Sequence, residues 1–149
     1  MASLIEAHTV LTLATRGRAF TDITAAVGHW LAKAQASSGL LTIFIRHTSA
    51  SLLIQENTDP DVQADLSDLL AVLAPENRRW RHSLEGLDDM PAHAKSMLTA
   101  TTLSIPVIAG RMTLGQWQAV YIAEHRSRPQ SREVVLSFIG RPASRPDQE

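Results

Sequence analysis

Apolar side chains recur along the chain with two periods, one typical of helices and one typical of strands. A helical face with intervals of three and four residues runs between positions 23 and 34. It consists of Ile23, Ala26, Val27, Trp30, Leu31 and Ala34. Thr21 or Asp22 can cap the start of this helix, and Gly39 lies just beyond its end. The pattern therefore predicts a first helix with one buried side.

Two more helices are predicted further along the chain. Asp59 can accept hydrogen bonds from exposed amides, and Pro60 suits the first helical position because no amide partner is needed there. Pro75 ends this second helix. Its apolar face is formed by Val62, Leu66, Leu69, Leu70 and Leu73. A third, short helix is predicted at about 90–99. Its inward side chains are expected to be Met90, Ala94, Met97 and Leu98.

Alternating apolar and polar positions predict strands in the remaining segments. They cover about residues 8–15, 40–47, 101–108, 116–125 and 132–140. Residues 49–54 form either a further strand or an irregular turn. Helices mixed with late, hairpin-like strands predict an α+β fold. We expect one compact domain over 1–140, with mixed or antiparallel sheets and about three helices. The segment 141–149 has two prolines and no apolar run, which predicts a flexible tail.

Composition narrows the class of protein. The chain has 149 residues and a formal net charge of -1, so it lacks the positive field that gathers nucleic acid or an anionic membrane. Only 5% of its residues are aromatic, which disfavours base stacking. No apolar run approaches the roughly 20 residues that span a bilayer, and the first residues do not resemble a signal peptide. We therefore expect a cytoplasmic protein that binds neither nucleic acid nor membranes.

Four of the six histidines lie at segment ends, where a fold can bring side chains into one pocket. His47 ends a strand, His82 lies in a long polar loop over 75–90, and His93 opens the third helix. The chain has no cysteine, so a transition metal would be held by histidine and carboxylate. We predict an open, catalytic type of metal site at His47, His82 and His93, with His125 as a substitute. The alternative is that each histidine is a packing or surface residue.

The identity of the metal stays open at this point among zinc, nickel, manganese and magnesium. Asp88 and Asp89 can cap the third helix, support the metal from its outer shell, or act as an acid or base. A cap is the simplest role for at least one of them. Both carboxylates belong to the long polar loop, and loops of this length are often functional.

A row of polar side chains follows the strand that ends at His47. Thr48, Ser49 and Ser51 offer hydroxyls and amides that would bind a phosphate, and Arg132 would clamp the same anion bidentately. The simpler explanation for the hydroxyls is a Ser/Thr turn that satisfies its own backbone, since the chain has no P-loop. The alternative for Arg132 is that it belongs to a solvated loop and binds no ligand.

Four blocks of the sequence together resemble the YjbQ-like family, whose members are described as secondary thiamine-phosphate synthases. They are "HTSASLLIQENTDPDV", "RHSLEGLDDMPAHAKSML", "LSIPVIAGRMTLGQWQAVYIAEH" and "SREVVLSFIG". The blocks lie between positions 47 and 140 in the family's order, and the resemblance extends over about residues 5–140. Two positions differ from the family pattern: Gln116 stands where threonine is usual, and Arg126 where aspartate is frequent. The second difference changes the local charge.

The resemblance implies a homotrimer of small α+β subunits with a weak thiamine-phosphate synthase activity. That reaction joins an aminopyrimidine methyl diphosphate to a thiazole phosphate and releases diphosphate. The resemblance points to His47, Thr48, Ser49, Glu56, Asn57, Asp59, His82, His93, Trp117, Gln118, Glu124 and Arg132. Within this set we expect His47, Glu124 and Arg132 to be catalytic. The alternative is a binding module for a small phosphorylated metabolite, in which synthase activity is incidental.

Overall fold

A computed structural model describes residues 3–144. Within them the chain forms three helices and eight strands in the order β1–β2–α1–β3–β4–α2–α3–β5–β6–β7–β8. The helices are α1 (Thr24–Lys33), α2 (Pro60–Leu73) and α3 (Asp89–Leu98). The strands are β1 (Ile5–Ala14), β2 (Ala19–Asp22), β3 (Ala36–Ile45), β4 (Ala50–Glu56), β5 (Thr102–Ile108), β6 (Arg111–Met112), β7 (Gln118–Glu124) and β8 (Ser131–Pro142).

The strands form two antiparallel sheets, and the core lies between them. The larger sheet has the order β1-β8-β3-β5-β6, and the smaller sheet has the order β2-β7-β4. Alternation along β3 buries Leu41, Ile43 and Ile45, as the sequence predicts. These side chains belong to one cluster with Leu52 of β4 and Ile122 of β7. The α+β class, the three helices and the antiparallel sheets are confirmed.

Helix α1 closes one side of this core through Val27 and Leu31, both without solvent exposure. The Asp22 carboxylate accepts a hydrogen bond from the Thr24 amide (2.9 Å) at its start. The predicted role of Gly39 at its end is wrong, because Gly39 lies inside β3. A Cβ there would come within 2.3 Å of the Ile139 carbonyl oxygen, so Gly39 serves the close approach of β3 and β8.

Helix α2 begins as predicted, with Asp59 at the N-cap position and Pro60 in the first turn. The Asp59 carboxylate accepts a hydrogen bond from the Asp61 amide (2.9 Å). Replacing Asp59 by alanine is expected to lower the free energy of unfolding by ~1 kcal/mol, because this cap is lost. Asp59→Asn retains a capping oxygen and is the control, measured by urea unfolding. A collapse of activity at an unchanged melting temperature would instead make Asp59 a ligand.

Helix α3 buries a different face from the predicted one. Met97 is 80% exposed and Leu98 is 51% exposed, whereas Ala92, Lys95 and Ser96 face inward. The Ser96 hydroxyl donates to the Ala50 carbonyl oxygen of β4 (3.3 Å). Polar contacts with β4, rather than the spacing of apolar residues, therefore decide which side of α3 is buried.

The last strand extends past position 140, where the sequence predicts that the tail begins. Strand β8 continues through Pro142, and the Ala143 amide donates to the Gln35 carbonyl oxygen (2.7 Å). The remainder of the predicted tail, residues 145–149, lies outside the described residues. Within 3–144, none of the helices is both long and apolar enough to cross a bilayer.

Candidate metal site

Three potential metal ligands converge where the long loop meets α3. His82 comes from the loop, while Asp89 and His93 lie four residues apart on one face of the helix. Asp89 Oδ2 lies 2.6 Å from His82 Nε2 and 3.1 Å from His93 Nε2. One ligand atom from each residue lies within 4.8 Å of the others. Two imidazole nitrogens and one carboxylate oxygen form a donor set suited to a divalent transition metal with open positions.

The hydrogen bond on the far side of His93 fixes the tautomer of its neutral ring. His93 Nδ1 lies 2.8 Å from the Thr48 carbonyl oxygen, which only accepts, so Nδ1 must carry the proton. In the neutral ring, Nε2 then presents a lone pair to Asp89 Oδ2. Two lone pairs at 3.1 Å repel unless a cation, either a second proton or a metal ion, lies between them. Orientation of a ligating imidazole by a backbone carbonyl is the usual outer-shell arrangement of metal sites.

Arg126 holds the other side of the carboxylate. Its NH1 donates to Asp89 Oδ1 (2.7 Å) and its Nε donates to Asp88 Oδ2 (3.0 Å). Asp89 is 2% exposed, and this burial opposes its charge. The hydrogen bond from His82, with the charges of His93 and Arg126, outweighs that effect and lowers the pKa of Asp89. Asp89 therefore offers one anionic oxygen, Oδ2, to the two histidines.

Asp88 does not cap α3 with its side chain. Its burial is outweighed by hydrogen bonds from the Ser127 amide and Arg126, which lower the pKa of Asp88 to about 2. The arginine at position 126, where the family pattern frequently has aspartate, thus bridges two consecutive carboxylates. This bridge ties the loop after β7 to the start of α3.

His47 and His125 are not in this group of three ligands among the described residues. The Glu133 amide donates to His47 Nε2 (2.8 Å), so that the one lone pair of a neutral His47 ring is already used. Burial, and then the charge of Arg132, lower the pKa of His47 and favour that neutral form. His47 would have to give up this hydrogen bond to bind a metal. Among the described residues, the group of candidate ligands is therefore the one formed by two histidines and Asp89.

Arg132, one of the predicted phosphate ligands, is engaged by Glu124 and Ser49. Arg132 donates from Nε to Glu124 Oε1 (2.7 Å) and from NH2 to Glu124 Oε2 (2.5 Å). Its NH2 also donates to the Ser49 hydroxyl (3.0 Å) and carbonyl (3.2 Å). Arg132 and Glu124 are both buried, whereas Thr48 is exposed and Ser49 is half-buried. This pair fixes the segment whose Thr48 carbonyl orients His93.

A second buried network joins β4, α3 and β7. Ser51 Oγ lies 2.8 Å from His125 Nε2 and 2.6 Å from Thr99 Oγ1, which also contacts the Lys95 carbonyl. Ser51 has no solvent exposure, so an incoming phosphate would not reach its hydroxyl. Burial, reinforced by the nearby Lys95 charge, lowers the pKa of His125 to about 4. His125 is therefore a neutral, structural side chain at physiological pH.

This burial predicts a stability loss in mild acid. His125 has an ordinary pKa of 6.5, so the unfolded chain takes up a proton that the folded chain refuses until about pH 4. The contribution of His125 to the free energy of unfolding is therefore complete above pH 6.5 and falls as the pH is lowered from 6.5 to 4. Lowering the pH from 7 to 5 should reduce the free energy of unfolding by about 2 kcal/mol. Urea unfolding should show this loss in the natural chain and not in His125→Gln; equal losses would contradict the prediction.

Other residues of the family blocks lie together where β7 begins. The Asn57 amide donates to the Trp117 carbonyl oxygen (3.0 Å), and Gln118 Oε1 accepts from the Gly115 amide (2.8 Å). Tyr121 donates from its hydroxyl to the Glu56 carbonyl oxygen (3.3 Å). These contacts hold β4, β7 and the entry to α2 together. Trp117 itself is 54% exposed.

Asp89 is the candidate ligand that the histidine-based prediction did not include. Its spacing of four positions from His93 was a usable signal, but the helix was predicted to begin at about position 90, with Asp89 as a possible cap rather than a residue on its face. The contribution of Thr48 had no such signal, because it is made by a backbone carbonyl from a segment 45 residues away.

The fold and the convergence of His82, Asp89 and His93 allow comparison with known proteins. The fold first places the chain in a class of small α+β proteins with two antiparallel sheets. A solved structure in this class, a conserved hypothetical protein from Thermus thermophilus, matches with a TM-score of 0.78 and 38% identity over 86% of this chain and 97% of that one. The family model described as UPF0047 protein YjbQ-like matches residues 9–141, and the chain belongs to this family.

Relatives in two bacteria cover most of the same length. The chain is 49% identical to UPF0047 protein sll1880 of Synechocystis over 132 residues, which are 88% of this chain and 90% of that protein. It is 38% identical to the UPF0047 protein YjbQ of Escherichia coli, over 87% of this chain and 95% of that one. The resemblance drawn from the sequence blocks is therefore confirmed at the level of the family.

Proposed function

We propose that this protein is a metal-dependent enzyme acting on small phosphorylated substrates, with a divalent ion held by His82, Asp89 and His93. One observation carries the proposal: His93 Nδ1 lies 2.8 Å from the Thr48 carbonyl oxygen, and its Nε2 faces Asp89 Oδ2 at 3.1 Å. The two imidazoles favour zinc, nickel or manganese over magnesium, which prefers oxygen ligands. Three protein ligands leave positions open for substrate.

The reaction we propose is thiamine-phosphate synthesis of the kind that the family resemblance implies. An ion at this site would stabilise the charge that develops on the departing diphosphate. The protein's own task is then positioning. The Glu124–Arg132 pair holds Ser49, and the neighbouring Thr48 carbonyl holds His93. His47 supports the same segment through the Glu133 amide, so we propose a positioning role for it.

The second candidate is a non-catalytic module that binds a small phosphorylated metabolite. Two expected catalytic residues, Arg132 and Glu124, are buried and form an ion pair with each other. Their engagement with each other, rather than with a substrate, favours this candidate. In that case the protein would retain a metabolite on purification, and any synthase turnover would be incidental.

Metal analysis and turnover separate the two candidates. We expect freshly purified protein to contain about one equivalent of a transition metal, and to form thiamine phosphate and diphosphate from the two substrates. Chelation should stop turnover, and re-addition of metal should restore it. His93→Ala should lose both metal and turnover, while His29→Ala, which changes an exposed side chain of α1, should lose neither. Metal-independent turnover, or a retained metabolite without turnover, would refute the proposed enzyme.

We also propose that the protein assembles as a homotrimer through the outer face of the larger sheet. This face carries apolar side chains that are between 43% and 55% exposed: Val10, Leu40, Phe44 and Ile139. An exposed apolar patch on a sheet is typical of a protein interface. The family resemblance supplies the stoichiometry.

Light scattering at micromolar concentration should give three times the chain mass of 16.3 kDa. Phe44→Glu places a charge in the proposed interface and is expected to give monomers. Leu84→Glu changes a 97% exposed side chain of the long loop and should leave the trimer intact. A monomeric natural chain would overturn this assembly.

A further inference from the structure

The long loop over 75–88 encloses a cavity of about 210 Å³ beside the candidate metal site. His82 lines this cavity and also approaches Asp89, so one side chain belongs to both features. The other walls include Arg78, Arg79 and Trp80. A ligand in the cavity would therefore lie next to the proposed ion.

Trp80 makes one wall rigid. Its Nε1 donates to the Pro75 carbonyl oxygen (3.0 Å), which ties the indole to the end of α2. The Arg78 guanidinium carbon lies 4.8 Å from the centroid of the Trp80 ring. A guanidinium held over an aromatic ring is pre-organised, and the contact leaves its N–H groups available for an anion.

The cavity has an excess of positive charge. Glu76 is an acidic residue of its lining, and it is already paired with Arg18. Arg78 and Arg79 make no ion pair with any carboxylate of residues 3–144. Arg132, by contrast, is neutralised by Glu124. The cations free to bind an anion near His82 are thus those of the loop.

We propose that Arg78 and Arg79 bind the phosphate group of a small phosphorylated substrate, whose reacting end is directed toward His82, Asp89 and His93. This inference rests on the proposed function and assigns its substrate-anchoring residues. Arginine is suited to this task because its planar donors bind phosphate oxygens bidentately. A cavity of about 210 Å³ is smaller than the roughly 300–1,000 Å³ of sites for drug-sized ligands, so it suits a small metabolite.

Calorimetric titration with inorganic phosphate tests the assignment in the zinc-loaded and metal-free protein. Each of Arg78→Met and Arg79→Met is expected to weaken phosphate binding by about tenfold, and the double variant by about 100-fold, since each removes charge-assisted hydrogen bonds. Arg111→Met, which removes an exposed arginine from β6, should stay within about twofold of the natural chain. All three single variants should keep the circular dichroism spectrum, because these side chains are exposed.

The outcomes separate this inference from the proposed function. If zinc binds but phosphate affinity is the same in the natural chain and in both arginine variants, the anchoring role is overturned while the metal site stands. The same holds if the natural chain fails to bind phosphate at millimolar concentration. If zinc, nickel and manganese all fail to bind while phosphate affinity depends on Arg78 and Arg79, the anion site stands and the proposed metal-dependent function falls.

Discussion

Asp89→Asn is expected to weaken zinc binding at the proposed site by more than about 100-fold, so that this variant is purified with little or no zinc. Changes in the outer shell of a metal site alone cost about 10–100-fold, and Asp89 supplies the sole carboxylate oxygen of this donor set. The substitution keeps the shape of the side chain but removes the anionic charge at Oδ2. Zinc calorimetry and elemental analysis measure the loss.

Asp88→Asn is the matched control, because it changes the adjacent carboxylate, which also binds Arg126. It should weaken zinc binding by about tenfold, the lower end of the range for an outer-shell change. A different result would follow if His93 were simply protonated and paired with Asp89. The natural chain would then take up no zinc, and Asp89→Asn would reduce only its stability.

Arg132→Met is expected to destabilise the folded protein by about 3–5 kcal/mol. Removing one member of a buried ion pair leaves the other charge unpaired, and here Glu124 is 2% exposed. Methionine fills similar volume, so lost packing contributes little. The pKa of Glu124 is at present lowered, because hydrogen bonds from Arg132 and Thr15 outweigh its burial. Urea unfolding at pH 7 measures the change.

The double variant Arg132→Met with Glu124→Gln separates the unpaired charge from other effects. Since it removes both charges, it should recover more than half of the stability lost in Arg132→Met. Zinc affinity should stay reduced in both variants, because Ser49 and the adjacent Thr48 carbonyl lose their support. A loss below about 1 kcal/mol in Arg132→Met would contradict the buried-pair interpretation.

Local chemistry was sufficient to predict much of the fold. The apolar intervals of α1, the Asp59–Pro60 start of α2 and the alternation of β3 each specify an element through its own residues. The short strand β2 was missed, since four residues are too few for a period. The inward face of α3 was also mispredicted. Burial of Lys95 and Ser96 depends on contacts with other elements that apolar periodicity does not register.

The candidate site divides in the same way. The sequence alone determined the family and the availability of His82, His93 and Asp89 near one another in the chain. The tertiary structure decided which of these side chains meet. It places His47 on the Glu133 amide, pairs Arg132 with Glu124 and brings the Thr48 carbonyl to His93. The physical reason is that such contacts join residues distant in the chain, whereas sequence periodicity records only the neighbours within one element.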